Sequence, residues 1–373
     1  MDFCDALIVG GGPAGSACAW ALRRRGLDVV VLDRREFPRD KPCAGWITPA
    51  VLAELRIEPA EYGGPRTLQP IRGFRTGWIG GGATDTLYHA PVSYGIRRCE
   101  FDEYLLRRSG ARLLLGTPLA ELERSGARWI ANGVIETPML VGAGGHFCPV
   151  ARRLGARPGT EAAVAAQEVE FELDAGAAGL CAVRPEIPEI YFCRDMLGYG
   201  WCFRKGRFLN VGLGRLEKGS LPAHLAAFLG FLKTAGRVPF DIPRKPAGHA
   251  YLLSVTSARS IVEDGVLLAG DAAGLAYPQS GEGIRPAIES GLLAAQVIAG
   301  TQGNHSRERL ESYRTALNRR FGGSRAARIA GFLPRGLVHA AARRLIGHPW
   351  LTRHVVLDRW FLRAGEAPLE LAG

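Results

Sequence analysis

No stretch of this sequence reaches eighteen consecutive apolar residues. A membrane span takes about 20, so none is expected. The first residues lack the basic, apolar and small-residue sections of a secretory signal, and a cytoplasmic protein is expected. The eight cysteines, at positions 4, 18, 43, 99, 148, 181, 193 and 202, contain no CxxC pair and no Cys/His group with zinc-site spacing. That argues against a structural metal and against a disulfide framework. Most of these cysteines are expected to be small buried hydrophobes. Lysine is nearly missing, with five among 47 basic residues. The net charge is +11, yet no nucleic-acid-binding motif accompanies it, so no nucleic-acid partner is expected. Internal repeats and low-complexity segments are also absent.

What is present is an ordinary globular composition, 47% hydrophobic and 22% charged, in a chain long enough for two domains. The order strand Asp5–Val9, glycine turn, helix Ala14–Arg25, strand Val29–Leu32 is that of a βαβ unit. A helix is expected over Glu100–Ser109, and strands over Arg112–Leu115 and Leu140–Gly142 with a hairpin between them. Val164–Leu173 alternates like a half-buried strand. Tyr199–Phe203 and Phe208–Gly214 flank a Lys205-Gly206 turn. Ala223–Ala235 has helical character, Gly265–Ala269 is a buried strand, and Ile284–Ala299 is a helix. After Asn304 the chain is expected to be helical, broken at Gly322-Gly323, Pro334 and Pro349. Parallel-sheet signals thus enclose antiparallel ones. The expected fold class is α/β with an α+β insert. A Rossmann-like nucleotide-binding domain is discontinuous over 1–72, 96–160 and 255–303. An antiparallel β-sheet substrate domain is inserted over 73–95 and 161–254, and a basic helical region covers 304–373.

Gly10-x-Gly12-x-x-Gly15 follows the first strand and opens the first helix. Gly10 suits the tight turn, Gly12 a close approach to a pyrophosphate, and Gly15 helix-on-strand packing. The helix N-terminus offers free N–H groups to phosphate. Asp33 ends the second strand, where it can bond ribose hydroxyls. Pro13, Ala14 and Arg34 complete this expected cofactor-binding set. A second signal, "GDAAGLAYPQSGEGI" at Gly270–Ile284, ends a strand in Gly270-Asp271 and starts another helix after Gly281 and Gly283. One nucleotide needs one phosphate turn. A second acid and a second helix start suggest a ligand with a ribityl chain and a flavin ring, which is FAD. Asp271 would meet the ribityl group, and the helix start at Gly281, Gly283 and Ile284 the flavin edge.

These pieces resemble flavoproteins of the para-hydroxybenzoate hydroxylase fold and, within them, the geranylgeranyl reductase family. "KPCAG" at Lys41–Gly45, "RRCEFDEYL" at Arg97–Leu105 and "YGWCFRKGRFLNVGLG" at Tyr199–Gly214 add to the two glycine motifs. The resemblance implies that Arg98 lies against FAD and that Tyr199, Trp201 and Phe203 line a substrate cavity under the flavin. Three positions depart from the family pattern. Ala44 replaces a glycine, Arg204 a proline, and Gly144-Gly145 an Asp-Gly pair. The last change weakens the case for an aromatic hydroxylase driven by NADPH.

The resemblance implies an FAD-dependent oxidoreductase that reduces C=C bonds of a hydrophobic, isoprenoid-like small molecule or lipid. Two alternatives stand beside it. One is a flavin-dependent monooxygenase or halogenase; the other is a flavoprotein acting on, or passing electrons to, a protein partner. The electron donor is open between NAD(P)H and a reduced carrier protein. Cys43 is a candidate proton donor or gate, or else a packed loop cysteine. Lys41 faces a ligand phosphate or solvent, and Trp46 packs beside the substrate. Tyr199, Trp201 and Phe203 share one face of their strand, as a cavity wall or as core. The tail from Asn304 carries thirteen Arg, no Lys and five acidic residues, a net +8. Its segments Arg319–Arg328, Arg335–Arg344 and Arg353–Arg363 either pack on the nucleotide domain or touch a membrane surface peripherally.

Overall fold

A computed structural model of the chain describes residues 1–216, 221–322 and 344–370. Its nucleotide-binding half is a six-stranded sheet. The order is Val262–Glu263, Val266–Leu268, Leu140–Gly142, Ala6–Val9, Val29–Leu32 and Arg112–Leu114. Every neighbouring pair is parallel except the first. The central strands are buried at every position, as unbroken apolar runs must be when helices cover both faces.

Helix Pro13–Arg23 lies between this sheet and helix Ile284–Gly300. Two glycines permit that closeness. A Cβ on Gly15 would sit 1.9 Å from the carbonyl oxygen of Gly10, and one on Gly291 would sit 2.2 Å from that of Ala14. Helix Arg307–Phe321 packs outside Ile284–Gly300, and its buried Tyr313 donates to the Leu268 carbonyl at 2.9 Å.

The second large sheet has seven strands, in the order Ala247–Tyr251, Val164–Glu172, Phe208–Arg215, Gly198–Lys205, Glu189–Phe192, Gly73–Trp78 and Ala83–Leu87. Alternation divides its residues between two faces. Val169, Phe171, Cys202, Val211 and Leu213 form a core with Leu225, Phe228 and Leu232 of helix Leu221–Thr234. The opposite face carries Ala166, Ile190, Phe192, Trp201 and Phe203 toward the nucleotide half. A small sheet of Trp46–Ile47, Ser93–Ile96 and Leu68–Ile71, not anticipated from sequence, is built from chain on both sides of strands Gly73–Trp78 and Ala83–Leu87 of the larger sheet.

The tail is helical over Arg307–Phe321, which ends at Gly322, and again from Pro349. Residues Thr352–Phe361 form a π-helix, and Val356, Leu357 and Phe361 join the aromatic face of the seven-stranded sheet. The Arg353–Arg363 segment therefore packs, but chiefly on the seven-stranded sheet rather than on the nucleotide domain expected from sequence. The expected breaks at Gly323 and Pro334, and positions 323–343 of the two preceding arginine segments, lie outside the described residues.

Gly291→Ala forces a methyl group onto backbone that no rotamer change can move. We expect it to destabilise the fold by about 1–3 kcal/mol, as overpacking does. A lowered urea midpoint with an unchanged slope would show it.

Candidate cofactor and substrate site

One cavity of about 620 Å³ lies where the two halves meet. It begins at the glycine turn. Gly10 has φ +116°, and a Cβ there would lie 2.4 Å from the Ala143 carbonyl oxygen. The Asp33 carboxylate braces this turn, with one oxygen accepting from Gly11 N at 2.7 Å and the other from Arg35 N at 2.9 Å. At Gly12 the nearest obstacle to a Cβ is the end of Arg39, 3.5 Å away, so the backbone itself faces the cavity.

Helices Pro13–Arg23 and Ile284–Gly300 both start at the cavity. Neither has a side-chain cap or an acidic residue in its first turn. Their free N–H groups and dipoles favour negative charge there. Arg34, Arg39, Lys41 and Arg98 line the same space. Buried Asp102 holds the Arg98 guanidinium in a two-bond pair, at 2.8 and 2.7 Å, and faces Arg39 at 3.3 Å. Two open helix ends, a bare glycine backbone and fixed cations fit a pyrophosphate-linked dinucleotide.

Further along, Lys41 Nζ lies 3.1 Å from His249 Nε2, and that nitrogen lies 3.4 Å from the Asp271 carboxylate. Burial pushes the His249 imidazole down to about 4, and the Lys41 charge adds to it. Burial would raise Asp271, but the His249 hydrogen bond and Lys41 outweigh it and hold the carboxyl at about 2. Lys41 thus meets an acid and an imidazole, neither of which the sequence reading paired with it.

The cysteine loop and the aromatic hairpin meet through one residue. Asn210 is 1% exposed. Its Oδ1 accepts from Trp201 Nε1 at 2.7 Å, while Nδ2 donates to the Cys43 carbonyl at 3.0 Å and to the Glu168 carboxylate at 2.7 Å. Tyr199 donates its hydroxyl to the Ser280 carbonyl. Trp46 stacks edge-on to Phe74, 5.9 Å between ring centres, and faces Phe361 at the same spacing.

Of the residues selected from sequence, Gly10, Gly12, Pro13, Ala14, Asp33, Arg34, Lys41, Cys43, Trp46, Arg98, Tyr199, Trp201, Asp271, Gly281, Gly283 and Ile284 line the cavity. Gly15, Gly270 and Phe203 do not. Gly15 serves packing. Gly270 has φ +60°, and a Cβ there would press between Ala14 and Ala287, so it too lets elements approach. Phe203 continues the aromatic face into the core with Phe74 and Phe361. The sequence reading missed Arg39, Glu168, Asn210, His249, Tyr251 and Glu282. Glu168 carried a signal: it is an acid in the middle of a strand that alternates like a buried one.

Residues 8–57 match the NAD(P)-binding Rossmann-like domain family. A menaquinone reductase of Mycobacterium tuberculosis is 31% identical over 80% of this chain and 77% of its own length. A digeranylgeranylglycerophospholipid reductase of Methanosphaera stadtmanae is 27% identical over 83% and 81%. A solved geranylgeranyl bacteriochlorophyll reductase-like protein of Thermoplasma acidophilum shares the fold at a TM-score of 0.72, with 22% identity over 86% of this chain and 84% of that one.

The buried imidazole makes stability depend on pH. His249 titrates near 4 in the fold against an ordinary 6.5, so the unfolded chain takes the proton first as pH falls. Its contribution is complete above 6.5 and is lost as pH falls through 4, by at most about 3 kcal/mol. Asp271 acts lower, between its ordinary 3.8 and about 2. Urea unfolding across the upper window should show the loss in the wild type and a smaller loss in His249→Gln.

Proposed function

The chain belongs to the geranylgeranyl reductase family of FAD-dependent oxidoreductases, and we propose that it saturates C=C bonds of a hydrophobic isoprenoid substrate. When bound, FAD supplies a hydride in its reduced form. The supporting observation is the composition of the cavity wall. Trp46, Tyr199 and Trp201 form an aromatic surface beside Cys43 and the start of helix Ile284–Gly300. Such a wall suits an apolar chain and offers a charged substrate little.

In this reading Gly10, Gly12, Pro13 and Ala14 hold the pyrophosphate, with Arg39 and Arg98 neutralising it. Asp33 and Arg34 take the adenosine side. Asp271, Gly281, Gly283 and Ile284 take the ribityl and flavin side, where the helix dipole stabilises negative charge. Tyr199 and Trp201 have committed their polar hydrogens to the protein, so they present rings rather than acids to substrate. That positions and dries the reacting double bond.

The test is an anaerobic incubation of the protein, loaded with FAD and reduced by dithionite, with menaquinone, a digeranylgeranyl phospholipid and geranylgeranyl diphosphate. We expect products heavier by two hydrogens per reduced bond. Adding NAD(P)H or a reduced ferredoxin in place of dithionite identifies the donor. If all three prenyl compounds are recovered unchanged, and admitted oxygen instead yields a hydroxylated or halogenated product, the monooxygenase or halogenase reading replaces this one.

A lipid substrate also calls for access to a bilayer, and we propose a peripheral contact through the tail. Its Trp350 is 60% exposed, between exposed His348 and His354. Trp350→Ala should reduce co-sedimentation with anionic vesicles, and the wild-type binding should weaken as salt rises. Equal wild-type indifference to anionic and neutral vesicles would remove the contact.

A further inference from the structure

Reduction of a C=C bond needs a proton as well as a hydride, so the wall of the cavity must contain an acid. Cys43, the proton donor suggested from sequence, and the other polar side chains around it are poorly placed. Tyr199 gives its hydrogen to Ser280 O, and burial pushes its hydroxyl well above the ordinary phenol value. The Trp201 N–H is taken by Asn210. The Cys43 sulfur accepts Gly45 N–H at 3.4 Å and has the Arg98 guanidinium beside it, so it is engaged as an acceptor. Both Asp33 oxygens accept from backbone N–H groups, and Asp271 is engaged by His249 and Lys41.

Resting on the reductase reading above, we propose that Glu168 is the proton donor of this cavity. Glu168 stands in the middle of strand Val164–Glu172, 7% exposed, and lines the cavity beside Trp201 and Cys43. Asn210 fixes its carboxyl at 2.7 Å and, through its other bonds, fixes both the Trp201 ring and the Cys43 loop against it. The acid and the aromatic wall are therefore one assembly. Two strands away Lys205, 2% exposed, donates to Glu170 at 2.6 Å and to the Ile96 carbonyl at 2.9 Å. This buried cation stabilises the carboxylate that remains after the proton leaves.

The step balances as follows. As the π bond breaks, reduced FAD, when bound, would supply a hydride to one carbon. Its neighbour takes the Glu168 proton, leaving a carboxylate and oxidised FAD. Solvent then returns a proton to Glu168. Burial pushes this carboxyl up to about 7, with Glu170 raising it further and Lys205, the Asn210 hydrogen bond and the Cys43 backbone opposing. Glu170 is itself paired with Arg97 and Lys205. His249 stands on the adjacent strand, paired with Lys41 and Asp271. A carboxyl of this kind holds its proton at the pH where the enzyme works and can still release it.

Glu168→Gln is nearly isosteric and can still accept from Asn210. It should bind FAD as the wild type does. Its single-turnover reduction of substrate should be slower by about 100-fold or more, and Glu168→Asp should recover part of that rate. The wild-type rate should fall as pH rises through 7, and the Glu168→Gln rate should not. A second readout needs neither substrate nor flavin. The wild-type infrared spectrum should show a protonated-carboxyl contribution that is lost through the same pH range, and the wild-type-minus-Glu168→Gln difference should contain it, Glu282 and Glu54 contributing equally to both.

The other buried acid lining the cavity with a raised carboxyl, Glu282, provides the control. Full turnover in Glu168→Gln overturns the proposal. So does a loss confined to Glu282→Gln, or a wild-type-minus-Glu168→Gln infrared difference without a protonated-carboxyl band. A wild type that reduces none of the prenyl compounds overturns the reductase reading, whereas a Glu168 without its proton at neutral pH overturns this assignment.

Discussion

The architecture depends on the close seating of helix Pro13–Arg23. It lies on its own strand at Gly15 and on helix Ile284–Gly300 at Gly291, with carbonyl oxygens where side chains would otherwise be. Because both contacts are this close, two helices separated by some 270 residues of sequence begin at one cavity. Their positive ends then add, and with Arg39, Lys41 and Arg98 they would repel one another without compensation. The structure supplies that compensation internally. Asp102 pairs two of these cations and Asp271 faces the third, so the site is held assembled while its helix ends stay open.

Asn210 does for the substrate side what those glycines do for the nucleotide side. A buried amide is costly unless all its hydrogen-bonding capacity is used. Here the demand is met by three separate elements: the hairpin through Trp201, the cysteine loop through the Cys43 carbonyl, and strand Val164–Glu172 through Glu168. Without the amide the buried Trp201 N–H would lose the bond it makes here. The unusual "KPCAGW" stretch is thereby explained in part. Its backbone is a structural partner of the aromatic hairpin, and its lysine closes on His249 and Asp271.

The nucleotide half was legible in the sequence because its determinants are local. A glycine turn, an acid at a strand end and a helix start lie within one βαβ unit, and the short-range rules of backbone geometry fix them. The hairpin was legible for the same reason, since period two places Tyr199, Trp201 and Phe203 on one face whatever they contact. Phe203 shows the limit. Periodicity gives the face but not where along it the cavity ends, and Phe203 falls into a buried cluster with Phe74 and Phe361, which are remote in sequence. Glu168, Asn210 and His249 were missed because isolated polar residues in strands have no spacing signature. Their role arises only when the sheet brings them beside the loop at Lys41–Gly45.

The tail's arginine excess is only partly a solvated surface. Arg320 reaches from helix Arg307–Phe321 to the fully buried Glu289 at 2.7 and 2.6 Å, and Arg285 meets the same carboxylate at 2.7 Å. Glu54, also buried, is pushed up to about 9 by desolvation and by Glu289, so the cluster favours one carboxylate charged and the other protonated. Two arginines on a single buried charge tie the tail to the helix whose N-terminus faces the cavity. From the other end, Phe361 packs 5.5 Å from the Tyr199 ring and 5.9 Å from Trp46. The C-terminal region therefore backs two of the aromatic side chains that line the cavity.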